Sequence, residues 1–135
     1  MARRRSSTSC PPRYSTARRV SRATYGPRVA ETARLLGLEL MPWQQHVADV
    51  ALEVDPATGL LAYREVVLTV PRQAGKTILG LAAKTHRCLG FGGPQNVLYT
   101  AQDRIHALAK WEDDQIPALQ ASPLNRLFTV RRQRG

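Results

Sequence analysis

Cysteine is scarce in this sequence, and so are long apolar runs. The two cysteines, Cys10 and Cys88, lie far apart, and neither belongs to a Cys-x-x-Cys pair. We expect free thiols in a reducing compartment, with Cys88 on a buried helix face, and no zinc site. No apolar stretch approaches the length of a signal-peptide core or a membrane span. A soluble intracellular protein is therefore expected.

Acidic residues are nearly absent from both ends of the chain. Residues 1–34 contain nine arginines and one acid, and residues 126–135 contain four arginines and no acid. Residues 35–125 hold seven basic and nine acidic side chains, so the net charge of +10 belongs to the ends. Clustered arginines bind nucleic-acid phosphates without sequence preference, although a merely solvated arm has the same composition. The low apolar content predicts that residues 1–25 form a disordered basic arm.

The middle of the chain alternates helical and strand-like patterns. Arg64–Val70 and Asn96–Ala101 are apolar over strand length, which suggests strands buried on both faces. Periodicity and capping residues predict helices from Gly26-Pro27 to near Gly37, from about Pro42, from Lys76 to about Leu89, and from Asp103 to about Leu119. This order of elements predicts parallel βαβ units and hence an α/β fold.

Gly75-Lys76-Thr77 stands between the first predicted strand and the helix that follows it. Gly75 lets the backbone approach phosphate, Lys76 can reach β- and γ-phosphate oxygens, and the Thr77 hydroxyl can bind Mg²⁺. Backbone amides and the helix dipole favour an anion here. The usual pattern G-x-x-x-x-G-K-[ST] has glycine where this chain has Val70. ATP and Mg²⁺ are therefore the predicted ligands, and the loop residues predicted to hold them are Arg72, Gln73, Ala74, Gly75, Lys76 and Thr77.

These segments together resemble the N-terminal ATPase part of the large terminase subunit of tailed phages. The string VPRQAGKT is similar to the Walker A loop of that family, which deviates from the usual Walker A pattern. Leu40–Gln44 resembles its L-x-P-W-Q segment, and Leu98–Arg104 resembles its second strand and the turn after it. The resemblance covers residues 24–128, nearly all of the foldable part. It implies a partial P-loop NTPase, a parallel sheet flanked by helices, in residues 26–125, with residues 126–135 as a basic tail at a truncation point.

The resemblance also implies a function, partners and further site residues. Family members are ATP-driven motors that package double-stranded DNA into capsids, work with a small terminase subunit and a portal ring, and act in the bacterial cytoplasm. A ring oligomer is expected only of the full-length protein. Gln44 would present its amide to adenine, and Gln45 is the competing candidate for that role. The alternative interpretation of Gln44 is an exposed glutamine at a helix start. Arg72 would meet the γ-phosphate, unless it is a solvated loop arginine.

Two parts of a complete motor are missing from this sequence. No strand ends in the Asp-Glu pair that holds Mg²⁺ and orients the attacking water, and the acidic run Glu112-Asp113-Asp114 is expected to be a solvated helix face. The nuclease domain of the family is also missing. We expect a fragment that binds ATP weakly and hydrolyses none at a useful rate. The alternatives are a helicase-like or other DNA-remodelling ATPase fragment, a non-enzymatic basic nucleic-acid-binding protein and, more weakly, a small metabolite kinase.

Overall fold

Helices dominate the computed structural model, which describes residues 12–131. Of these residues 48% are helical and 3% form strand or bridge. The α-helices are α1 (Gly26–Leu35), α2 (Pro42–Ala51), α3 (Lys76–Gly90), α4 (Arg104–Ala109) and α5 (Ile116–Ala121). A π-helical stretch, Lys110–Gln115, joins α4 to α5, and a 3-10 helix, Pro123–Leu127, follows α5. Within the described range no helix is both long enough and apolar enough to cross a membrane.

The predicted α/β fold, a parallel sheet flanked by helices, is wrong. Between residues 12 and 131 the only β-pairings are isolated antiparallel bridges, Thr24 with Glu53 and Val54 with Leu61. Residues 65–70 and 96–101 have no regular secondary structure. Val67 is 90% exposed and Leu98 is 87% exposed. An apolar β-branched run becomes a buried strand only when neighbouring strands and covering helices pack on it, and those partners do not form here.

The predicted helices are confirmed because their start and stop signals are local. Pro27 occupies the first turn of α1, which ends just before Gly37, where φ is +72°. Pro42 occupies the first turn of α2. The Asp103 carboxylate accepts the His106 N–H at 2.8 Å and caps α4. Fixed proline φ, a glycine in the left-handed region and a side-chain cap each act within one turn of helix.

The main core lies where α1 packs against α2 and α3. Its buried members are small or branched apolar side chains: Val29, Ala33, Ala48, Leu79 and Ala82. Trp43 packs against this cluster, as its helical phase predicts. The helices approach closely at Gly26, because a Cβ there would lie 2.0 Å from Asp49 Oδ1. This packing holds the start of α2 beside the start of α3.

A second apolar cluster joins the C-terminal helices to the main core. Leu36, Leu81 and Leu119 are buried together, and Trp111 and Phe128 pack against them. Phe128 belongs to the predicted basic tail, of which residues 132–135 lie outside the described range. Cys88 is exposed, contrary to the buried face expected from the sequence.

The described part of the predicted arm lies against the globular part of the chain. Thr24 and Glu53 form an antiparallel bridge. The Tyr25 N–H donates to the Leu52 carbonyl at 3.1 Å, and the Val54 N–H donates to the Ala23 carbonyl at 2.8 Å. Residues 1–11, which carry the first arginine cluster of the predicted disordered arm, lie outside the described residues.

Candidate phosphate-binding site

The loop before α3 contains two residues in the left-handed region of backbone conformation. Gln73 has φ of +60°, and Gly75, the N-cap of α3, has φ of +98° and ψ of +18°. Within residues 12–131, the amides of Arg72 through Thr77 donate to no protein acceptor. Left-handed residues in a tight turn point successive N–H groups toward one side, and the positive end of the helix dipole lies there too. These amides are therefore the candidate donors to an anion.

Lys76 places a positive charge over this loop. Its Nζ donates to the carbonyl of Val70 at 2.8 Å and to the carbonyl of Pro71 at 3.0 Å. An ammonium group has three N–H donors, so one donor remains for an anion after these two bonds. The same bonds tie the first residues of the loop to the first residue of α3. Val70, which replaces the usual glycine, thus contributes its backbone carbonyl.

Gln44 contacts the backbone of the loop. Its side chain is fully buried, its Nε2 donates to the Gly75 carbonyl at 2.8 Å, and its Oε1 accepts the Met41 N–H at 2.6 Å. A Cβ at Gly75 would lie 2.7 Å from Gln44 Nε2. The amide predicted to read adenine therefore joins the start of α2 to the N-cap of α3. Gln45, its competitor, instead bonds Asp49 Oδ1 at 2.7 Å.

The remaining predicted ligands differ in how accessible they are. Arg72 and Gln73 are exposed, whereas Ala74 and Thr77 are half-buried. Thr77 lies in the first turn of α3. No group of three His, Cys, Asp or Glu side chains in the described range is arranged to hold a metal ion. Residues 70–77 contain one side-chain hydroxyl in addition to that of Thr69 before them, and no carboxylate.

An apolar groove of about 780 Å³ borders the loop at Pro71 and Ala74. Trp43 and Val47 of α2 line one wall, the extended residues 65–70 line another, and residues 12–16 run along it. Ser15 Oγ lies 2.8 Å from His46 Nε2 and joins the arm to α2 beside this groove. The first described residues of the arm thus lie close to the loop before α3.

A buried charged cluster, which the sequence did not predict, anchors the arm beyond this groove. Glu53 is fully buried, and its carboxylate accepts from Arg18 Nη1 at 2.9 Å, Arg22 Nη1 at 3.3 Å and the Arg19 N–H at 2.7 Å. Burial alone would raise the pKa of Glu53, but these donors hold the pKa below its ordinary value. The sequence feature that could have indicated this cluster is the single acidic residue within the apolar run Ala51–Val54.

The comparisons with known proteins give no relative for this chain. No protein-family model, no curated protein and no solved structure matches it.

Proposed function

We propose that residues 70–77 bind the phosphates of ATP, and that the chain is the ATP-binding N-terminal segment of a phage DNA-packaging motor. The main support for the phosphate site is the position of Lys76. Its Nζ donates hydrogen bonds to the Val70 and Pro71 carbonyls at 2.8 and 3.0 Å. These bonds hold a cation beside amides that have no protein acceptor. A triphosphate would receive the remaining Lys76 proton together with those amides.

The phosphate-binding part of this proposal does not depend on a sheet. The donors belong to the loop and to the first turn of α3, a helix of 15 residues whose far side packs in the core. Gln44, buried beneath Gly75, keeps the loop in its left-handed conformation. Rigid support of this kind lowers the entropy lost when a ligand binds.

The motor assignment rests on the resemblance of residues 24–128 to the large terminase subunit. On this assignment double-stranded DNA, a small terminase subunit and a portal ring are the partners of the whole protein in the bacterial cytoplasm, where it forms a ring. Bound Mg²⁺ would neutralise phosphate charge, with the Thr77 hydroxyl as its ligand from this segment. Because no predicted strand of this sequence ends in the Asp-Glu pair that holds Mg²⁺ and orients the attacking water, we expect this chain to bind ATP without appreciable turnover.

Binding of MgATP to the 135-residue chain, measured by titration calorimetry, tests the phosphate site. Lys76→Ala should weaken binding by about tenfold to a hundredfold, since charge-assisted hydrogen bonds contribute about 1.5–3 kcal/mol. Lys110→Ala is the matched control, because Lys110 is exposed and pairs with Asp114 at 2.7 Å on a distant helical stretch. Undiminished binding by a folded Lys76→Ala variant, or no binding by the wild type, would contradict the site.

The motor assignment has a separate test. The coding locus should be sequenced past the codon for Gly135. An open frame, or one restored by a single-base shift, that encodes an apolar strand ending in Asp-Glu would support it. Helicase motifs at that place would instead favour a DNA-remodelling ATPase, and a stop followed by unrelated sequence would leave a nucleotide-binding segment only.

A further inference from the structure

Arg18 and Arg22 are enclosed by the protein rather than free in solvent. Their side chains are 24% and 19% exposed, and both guanidinium groups contact the fully buried carboxylate of Glu53. Arg18 Nη2 also donates to the Arg22 carbonyl at 2.6 Å, and the Arg22 guanidinium lies 6.0 Å from the centre of the Tyr63 ring. These two arginines therefore have protein partners on several sides.

The cluster joins two parts of the chain that are far apart in sequence. Glu53 follows α2, while Arg18, Arg19 and Arg22 precede α1. A buried carboxylate is costly unless it is paired and hydrogen-bonded. The side-chain and backbone donors described for Glu53 all come from residues 18–22. Glu53 and this part of the arm thus depend on each other.

We propose that Glu53 withholds Arg18 and Arg22 from nucleic acid, so that the arm is held in an autoinhibited position. A DNA phosphate would have to compete for the two guanidinium groups with the Glu53 carboxylate, which already binds both of them at a site with little solvent exposure. An exposed arginine gives up only bound water when it binds DNA, and the DNA releases counterions. Arg18 and Arg22 would also leave a buried charge behind. This inference rests on double-stranded DNA as a partner and is independent of the ATP site.

The number of arginines that reach DNA can be counted from salt dependence. The logarithm of the binding constant falls with the logarithm of salt concentration by about 0.9 for each phosphate neutralised. Glu53→Gln keeps the shape of the side chain, removes its charge and replaces one of its two acceptor oxygens with an NH₂ donor. If both arginines then bind phosphates, a plot of the logarithm of the binding constant for a labelled 20-base-pair duplex against the logarithm of salt concentration should become steeper by about 1.8. Glu31→Gln is the matched control, because Glu31 is exposed and, among the described residues, forms an ion pair with Arg34.

A triple variant identifies the residues responsible for the gain. Adding Arg18→Gln and Arg22→Gln to Glu53→Gln should return the slope to the wild-type value. Trypsin should also cleave after Arg18 and Arg22 faster in Glu53→Gln than in the wild type. An unchanged slope in a Glu53→Gln variant with native helical circular dichroism would overturn the proposal. So would the failure of both this variant and the wild type to bind DNA, and that result would leave the MgATP titration unaffected.

If Glu53→Gln alone loses its helical signal, the triple variant with native helical circular dichroism decides by comparison with the wild type, because it leaves no buried carboxylate without its arginine partners. Arginines that are already withheld contribute nothing to DNA binding, so the salt slope should stay at the wild-type value. A slope shallower by about 1.8 would show that both arginines contact DNA while Glu53 is charged, and it would overturn the proposal.

Discussion

Gly75 combines a backbone requirement and a packing requirement at one position. Its φ of +98° lies in the region that side chains disfavour. A Cβ would lie 2.7 Å from Gln44 Nε2 and 2.9 Å from Met41 Cε. Its carbonyl accepts the buried Gln44 amide at 2.8 Å. The phosphate loop and the start of α2 therefore depend on the same glycine.

Gly75→Ala should destabilise the fold by on the order of 2 kcal/mol, because an L-residue in the left-handed region costs about 1–2 kcal/mol before any clash. Gly80→Ala, within α3, is the matched control, since apart from its own stretch of helix backbone no described atom lies within 4 Å of the added Cβ. That change should stabilise the chain by about 0.5–1 kcal/mol. Urea unfolding followed by circular dichroism measures both. Equal stabilities of the two variants would contradict the described loop.

At the scale of helices, the contact between α1 and α3 contains a buried histidine. His86 is 5% exposed, and no hydrogen-bond partner of its Nε2 lies within the described range. The rings of Tyr25 and Phe91 surround it at 5.6 and 5.7 Å. Burial lowers the pKa of His86 below its ordinary value, and the Arg28 charge on α1 lowers it further. The neutral imidazole is therefore the form that this packing favours.

Stability should fall on acidification because protonation of His86 opposes this packing. The pKa of His86 is lower in the folded than in the unfolded chain. The contribution of neutral His86 to the free energy of unfolding is therefore complete above the unfolded pKa of about 6.5, and it is lost as pH falls through the folded pKa. Urea unfolding at pH 7.5 and 5.5 measures this loss. His86→Phe should reduce it, while His106→Gln, on exposed α4, should retain it. An equal pH dependence of His86→Phe and the wild type would contradict the prediction.

The helices were predictable from the sequence, and the strands were not, for one physical reason. Pro27, Gly37 and Asp103 act within one turn of their helices, so their effects can be read locally. Residues 65–70 carry β-branched side chains, but pairing requires a second segment that the sequence pattern does not specify. Local propensity therefore indicated strands in a chain whose described part forms no sheet.

The same distinction applies to the candidate site. The loop residues Arg72–Thr77 are contiguous, and their pattern could be recognised directly. The contact between Gln44 and Gly75 spans 31 residues, and the contact between Arg18 and Glu53 spans 35. Such pairs depend on how the helices pack, so residue type and spacing could not reveal them. Gln44 was identified as important, but its partners were not.

At the scale of the whole molecule, exposed apolar segments and a high net charge have opposite effects on association. Val66 and Val67 are 53% and 90% exposed, and Leu98 is 87% exposed, all in segments without regular secondary structure. Unpaired extended backbone with apolar side chains favours pairing with other chains. A net charge of +10 opposes it by mutual repulsion. Salt should therefore decide which effect is larger.

The wild-type chain should self-associate as salt is raised, because screening weakens the repulsion and leaves the apolar segments unchanged. Val67→Lys/Leu98→Lys should reduce the association by placing charge on both extended segments. Ile105→Lys is the control, since Ile105 is 78% exposed on α4 and belongs to neither segment. Light scattering at increasing protein concentration measures the mass at low and high salt. The prediction would be contradicted if the wild-type mass were the same at low and high salt. It would also be contradicted if Ile105→Lys reduced association as much as Val67→Lys/Leu98→Lys.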